Sequence, residues 1–150
     1  MLISLQELKH PDQLDLLACA ARAEGFHIVD RLQQEWRAGT NRFDQSGETL
    51  LLALQKRQVV GVCGLNRDPY SHNDRVGRVR RLYVSQDSRR HGVGRLLVTE
   101  IQNLCPGVFN QLRLRTHTPK ADAFYRVLGF KRVEGDPDCT HLREIALQDS

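Results

Sequence analysis

The chain has 150 residues, 40% hydrophobic and 27% charged, an ordinary soluble composition and enough length for one domain, residues 1–150, with a real core. No stretch approaches the run of about 18 apolar residues that spans a membrane, and Met1 is followed by an amphipathic segment with Glu7 and Asp12, not a basic and then apolar leader, so a cytoplasmic protein without membrane contact is expected. The formal charge of +4 (22 Lys and Arg against 18 Asp and Glu) is concentrated in Arg75, Arg78, Arg80, Arg81, Arg89, Arg90 and Arg95, which predicts an anionic partner.

Leu2, Ile3 and Leu5 predict a short first strand. Pro11 then stands where a helix can begin without a missing N–H, and Leu14, Leu17, Ala18 and Ala21 form one apolar face that Gly25 ends. Ile28, Leu32 and Trp36 mark one side of a second helix. Gly39 to Gly47 reads as a polar loop. Thr49 to Leu54 and Gln58 to Leu65 predict an antiparallel hairpin turning at Lys56-Arg57, and Asn66 to Gly77 a long loop. Val79 to Val84 is a strand. After it, Val93, Leu96, Leu97, Ile101 and Leu104 mark one face of a helix that Pro106-Gly107 stops. Gln111 to Thr116 alternates Leu and Arg as a strand covered on one face. Thr118-Pro119 opens a helix with Ala121, Phe124, Tyr125 and Leu128 on one side, and Gly129 closes it. Phe130 starts a strand, and a turn at Gly135 to Cys139 leads to a last strand from Leu142 to Leu147, expected at the sheet edge where a second subunit can pair. Cys19, Cys63, Cys105 and Cys139 form no CxxC pair, so neither zinc nor a disulfide scaffold is expected. Cys19 and Cys63 sit in apolar runs and read as buried small hydrophobes.

The segment Arg89-Arg90-His91-Gly92-Val93-Gly94-Arg95 carries the chemistry. It lies between a strand and a strongly periodic helix. The first N–H groups of that helix have no intrahelical acceptor, and its dipole presents the positive end there, so the turn is an anion site. A nucleotide-triphosphate loop would need Gly-Lys-Ser/Thr, which is absent. A dinucleotide loop would need a third glycine where Leu97 stands.

Arg89-Arg90-His91-Gly92-Val93-Gly94 resembles the Arg/Gln-x-x-Gly-x-Gly/Ala signature of the GNAT N-acetyltransferases. About thirty residues on, Ala123-Phe124-Tyr125-Arg126-Val127-Leu128-Gly129-Phe130 is similar to that family's Phe-Tyr-x-x-x-Gly-Phe element. The resemblance spans residues 48 to 134. It implies a single α/β domain with a mixed, mostly antiparallel twisted sheet flanked by helices, whose parallel strands splay at the acetyl-coenzyme A site. It further implies acetyl-coenzyme A as donor, a primary amine on a small molecule or protein as acceptor, and no metal.

The resemblance implies roles residue by residue. The backbone of Arg90 to Arg95, with Gly92 and Gly94 keeping side chains clear, would hold the coenzyme A pyrophosphate. Arg89, Arg90 and Arg95 would neutralise it, and His91 and Val93 belong to the same turn. The main chain of Leu82, Tyr83 and Val84 would bond the pantetheine arm as an added strand, and Thr118 stands where relatives place an Asn that contacts it. Tyr125 would be the acid that protonates the leaving thiolate. The Glu that many relatives carry on the motif strand is missing, since Arg80 and Arg81 stand there; Glu48, Asp74, His72 and His117 are the replacements considered. The acceptor pocket is expected from the first two helices and the two polar loops, where Asp68, Asp74 and Glu48 would attract a cationic amine. The alternative is a non-catalytic acyl-coenzyme A sensing module on the same fold. Nucleic acid is not expected, because the Arg cluster lacks interleaved aromatics.

Overall fold

Strand Thr49–Gln55 alternates between two cores: Leu50 and Leu52 point into one, Leu51 and Ala53 into the other. A strand apolar on both faces must be covered on both. The computed structural model describes residues 2–146 and supplies both covers. The elements run β1 (Ser4–Glu7), α1 (Asp15–Ala23), α2 (Ile28–Ala38), β2 (Thr49–Gln55), β3 (Gln58–Arg67), β4 (Val76–Val84), α3 (Val93–Asn103), β5 (Gln111–Leu114), α4 (Pro119–Val127), β6 (Lys131–Arg132) and β7 (His141–Glu144). The seven strands make one sheet in the order β1-β2-β3-β4-β5-β7-β6, and only β4 and β5 are parallel. Leu14, Leu17, Ala18, Ala21, Val29 and Leu32 cover one face through α1, α2 and the turn before them. Val93, Leu97, Val98, Ile101 and Tyr125 cover the other through α3 and α4.

Local chemistry sets the ends of these elements. A 3₁₀ turn at Pro11–Leu14 leads into α1 and is closed reciprocally: His10 Nδ1 accepts the Asp12 N–H (3.2 Å) and Gln13 Oε1 accepts the His10 N–H (3.0 Å). Thr118 Oγ1 caps α4 by accepting the Ala121 N–H at 3.1 Å, with Pro119 at the first helical position.

The mixed, mostly antiparallel sheet flanked by helices is the one expected, and the order of elements agrees. Five local expectations change. The last strand is not an edge, because β7 lies between β5 and β6, and the edge on that side is the two-residue exposed β6. Leu147, placed in the last strand, lies outside the described residues. The loop after β3 is shorter, since Asn66 and Arg67 extend β3, Val76 and Gly77 begin β4, and Asp68 N–H bonds Val76 O at 2.9 Å across its neck. On α3 the fourth core residue is Val98, while Leu96 and Leu104 are 39% and 43% exposed. On α2 it is Val29, one position after Ile28, that is fully covered. Cys63 is buried as expected. Cys19 is exposed, because α1 turns it away from the face made by Leu17, Ala18 and Ala21.

Phe43 fixes the polar loop to the sheet. Its ring lies over Gly64 of β3 so closely that a Cβ there would stand 2.3 Å from the ring edge. Gly64→Ala should therefore lower unfolding stability by about 1–3 kcal/mol through overpacking, read as a lower urea midpoint with an unchanged slope. Phe43→Leu in the same chain should restore part of the loss. A midpoint at or above the parent's would show that the ring is not held against the strand.

Candidate active site

The site begins with one extra residue in β4. Against β3, Val62 pairs with Tyr83 and Gly64 with Arg80, so Cys63 faces both Arg81 and Leu82. This is a β-bulge, and Arg81 takes the left-handed conformation in it (φ 60°). A non-glycine residue there costs about 1–2 kcal/mol. Arg81 is fixed in place by α2, since its Nη2 and Nε donate to Glu35 Oε1 at 2.7 and 3.2 Å. The bulge resets the side-chain alternation. Val79, Leu82 and Val84 pack toward α3 and α4, and Tyr83 packs toward α1 and α2.

On its other side β4 leaves its parallel partner. The ladder pairs Val76–Arg78 with Gln111–Arg113 and then stops, so residues 79–84 have, among the described residues, no strand beside them there. A cavity of about 330 Å³ occupies the divergence. Its walls are Arg78 to Leu82 of β4, Leu114 to Thr116 at the end of β5, Tyr125 of α4, Ile28 at the start of α2, and Tyr70 of the β3–β4 loop. Tyr125 is 7% exposed. Its hydroxyl makes no hydrogen bond to the described residues, and burial pushes its phenol well above the ordinary value. A network behind it holds α4: Asp122 Oδ1 lies 2.7 Å from His141 Nε2, the fully buried His141 ring places Nδ1 2.9 Å from Thr140 Oγ1, and Asp122 also receives Arg126 Nε. The His141 hydrogen bond, and then that of Arg126, hold the Asp122 carboxyl below its usual range.

At the other end of β4 the chain makes a 3₁₀ turn at Gln86–Ser88, and Arg90 and Gly92 both adopt left-handed backbone (φ 69° and 78°) before α3 starts at Val93. Successive N–H groups in such a turn form a concave nest for an anion. The two glycines differ in purpose. A Cβ on Gly92 would meet none of the described residues within 4 Å, so its need is conformational, whereas a Cβ on Gly94 would make ordinary contact with Phe124 and Val84 at 3.4–3.7 Å, at the place where α3 meets α4 and β4.

The side chains of the turn divide as well. Arg90, His91 and Arg95 are exposed and, among the described residues, form no ion pair. Arg89 turns inward. Its Nη1 and Nη2 each lie 2.7 Å from a different oxygen of Glu24, and its Nε donates to Val84 O at 3.1 Å. Glu24 also accepts the Tyr83 hydroxyl. Arg89 first, and Tyr83 second, hold the Glu24 carboxyl below its ordinary range, and burial with the Glu24 bond raises Tyr83 to about 12. Thr118 is exposed and its oxygen is already an N-cap acceptor, so toward a ligand it can act through its O–H.

No carboxylate or histidine among the described residues lines the cavity. Glu48 instead accepts from Asn66 Nδ2, the Arg67 N–H and the Gln45 N–H (2.9, 2.8 and 3.1 Å) and closes the loop beside a second, polar cavity. Asp74, His72 and His117 are exposed away from the cleft, and Asp68 is buried against Arg78 at 3.5 Å. Glu24, Glu35, Tyr70, Arg115 and His141 were not singled out in the sequence. The partners of Glu24, Glu35 and His141 lie 65, 46 and 19 residues away, where nothing local marks them, and Tyr70 and Arg115 are set apart only by the cavity they line.

A family model for the acetyltransferase (GNAT) domain matches residues 46–132. No curated protein matches the sequence. Among solved structures, a candidate acetyltransferase from Exiguobacterium sp. is 28% identical, with a TM-score of 0.83 over 96% of this chain and 94% of that one. A GNAT-family acetyltransferase from Staphylococcus aureus is 18% identical (TM-score 0.74, 97% and 100% covered). PaiA N-acetyltransferase from Thermoplasma acidophilum, in complex with coenzyme A, is 19% identical (TM-score 0.70, 96% and 99% covered). With the bulged strand, the diverging parallel pair and the nest before α3 already in place, the family match gives the conclusion that this chain belongs to the GNAT acetyltransferases.

Proposed function

We propose that the protein transfers the acetyl group of acetyl-coenzyme A to a primary amine by direct attack. The observation that carries this reading is the cavity at the β4–β5 divergence, with Tyr125 in its wall and the N-terminal nest of α3 at the end of the same strand. The Thermoplasma protein of this fold holds coenzyme A. Here the backbone from Arg90 to Arg95 would take the pyrophosphate, with Arg90 and Arg95 adding charge and His91, Gly92, Val93 and Gly94 shaping the approach. The unpaired edge of Leu82, Tyr83 and Val84 would bond the pantetheine arm as a strand, and Thr118 would approach it from the α4 side. Arg89 acts through Glu24 and Val84, anchoring the turn to α1.

In the reaction the amine nitrogen attacks the thioester carbonyl carbon. The carbonyl oxygen becomes an oxyanion that a backbone N–H of the bulged strand can stabilise. Collapse breaks the C–S bond. The departing thiolate takes the Tyr125 proton, and the nitrogen's surplus proton returns to the phenolate through water. The free amine must be neutral, although an unperturbed alkyl ammonium titrates near about 10.4. The arginines around the cavity favour the neutral form by like-charge repulsion, so no dedicated carboxylate base is required.

Three measurements test this. Calorimetry with coenzyme A should show binding that Gly92→Glu weakens by roughly a hundredfold or more, since the substitution strains the nest and adds a negative charge to it; equal binding by the variant would remove the turn from the site. In a thiol-release assay, Tyr125→Phe should lower kcat by about 10²-fold with little change in coenzyme A affinity. Because burial raises the phenol, it stays protonated beyond about pH 10, and the parent kcat should show no alkaline fall from this group below that pH. Unchanged turnover in the variant would exclude Tyr125 as the acid. Finally, Glu24→Gln should weaken coenzyme A binding several-fold even though it removes negative charge, because Arg89 loses its anchor. Tighter binding would show that Arg89 serves the phosphates directly.

A further inference from the structure

The cavity at the β4–β5 divergence is lined by charge of one sign. Arg78, Arg80, Arg81 and Arg115 face it together with Tyr70 and Tyr125. Two of these arginines are satisfied from behind. Arg78 donates through Nη2 to Asp138 O at 2.6 Å, reaches Asp68 at 3.5 Å, and lies over the Tyr70 ring at 4.8 Å. Arg81 is bonded to Glu35. Arg80 is half-buried and, among the described residues, has neither an ion-pair nor a hydrogen-bond partner; Arg115, exposed at the rim, has none either. A partly desolvated guanidinium without an acceptor is unfavourable until an anion completes it. Burial, and then the charge of Arg81, push Arg80 below the ordinary arginine value, with Glu35 opposing.

The acyl donor does not supply this anion. Its phosphates belong at the start of α3, and Arg80 lies four residues before the end of β4, on the order of 10 Å away with the bulge between them. The pantetheine arm between them is uncharged. The acceptor must supply the charge. Resting on the acetyltransferase reading above, we propose that the acceptor is a small primary amine that also carries an anionic oxyacid group, carboxylate or phosphate, received by Arg80 and Arg115 while its nitrogen faces the thioester beside Tyr125. This reverses the cationic acceptor expected from Asp68, Asp74 and Glu48: none lines this cavity, and Glu48, which lines the second cavity that Arg80 also borders, has its oxygens occupied by Asn66, Arg67 and Gln45. A volume of about 330 Å³ suits a molecule of metabolite size.

The test is thiol release from acetyl-coenzyme A with matched amines: α-amino acids against their carboxamides, phosphoethanolamine against ethanolamine, and spermidine as a polycation. The anionic member of at least one pair should have a kcat/KM roughly tenfold or more above its neutral partner, and the pair that shows it identifies carboxylate or phosphate. Arg80→Gln should reduce that ratio to near unity while coenzyme A affinity, measured by calorimetry, stays within about threefold. Arg115→Gln, at an exposed position with little bearing on folding, should lower the ratio in the same direction. Neutral amines or spermidine acetylated as well as the anionic ones, or a ratio unaffected by Arg80→Gln, would overturn the proposal. If coenzyme A binds but no amine releases thiol, the same pairs titrated into the coenzyme A complex decide it, and equal or absent binding of the anionic members overturns it. A protein that neither binds coenzyme A nor releases thiol would instead refute the acetyltransferase reading itself.

Discussion

One extra residue in β4, opposite Cys63, decides where the functional groups of this protein point. Side chains in a strand alternate with a period of two, so a one-residue insertion exchanges the faces of everything beyond it. With the bulge, Leu82 and Val84 join Val79 against α3 and α4, and Tyr83 turns to α1 and α2. Without it the tyrosine would be driven toward α3 and the two aliphatic residues toward α1. The left-handed Arg81 is the local penalty of this arrangement, and its bonds to Glu35 offset that penalty from a different element.

The same strand joins two ends of chemistry. At its N-terminal part it pairs with β5, and where that pairing stops a cavity opens. At its C-terminal end the turn into α3 is held by Glu24, which stands at the C-terminus of α1. A carboxylate is unfavourable at that end of a helix dipole, and Arg89 compensates for it with two hydrogen bonds. Glu24 therefore ties the N-terminal helices to the nest. On the other side the Arg126–Asp122–His141–Thr140 chain fixes α4, and with it Tyr125, against the end of β5. The turn before α3 and Tyr125 are positioned by separate polar networks, one on each face of the sheet.

The remaining charges fit a division of labour along β4. Arg78 and Arg81 are paired and build the walls, while Arg80 between them is half-buried and has no partner among the described residues. A protein does not ordinarily keep a desolvated cation without an acceptor unless a ligand supplies one.

Much of this was legible from local pattern. The elements, their order and the turn before α3 follow from periodicity, caps and glycines, because such signals act within a few residues. The family resemblance rested on two short motifs of that kind. The burial of individual residues was less legible at the edges of a helical face, as Leu96, Leu104 and Cys19 show, since the width of that face is set by the partner it packs on. Pairings between distant residues were not legible at all. Arg80, Arg81 and Arg89 read alike as members of one basic cluster, yet one has no partner among the described residues, one holds a bulge and one anchors a turn. The sequence determined that a cationic strand would run into a glycine-rich turn at a helix start. Only the tertiary structure, by bonding Glu35 of α2 and Glu24 at the end of α1 to two of these arginines and, among the described residues, no carboxylate to the third, decided which positive charge the proposed acceptor would meet.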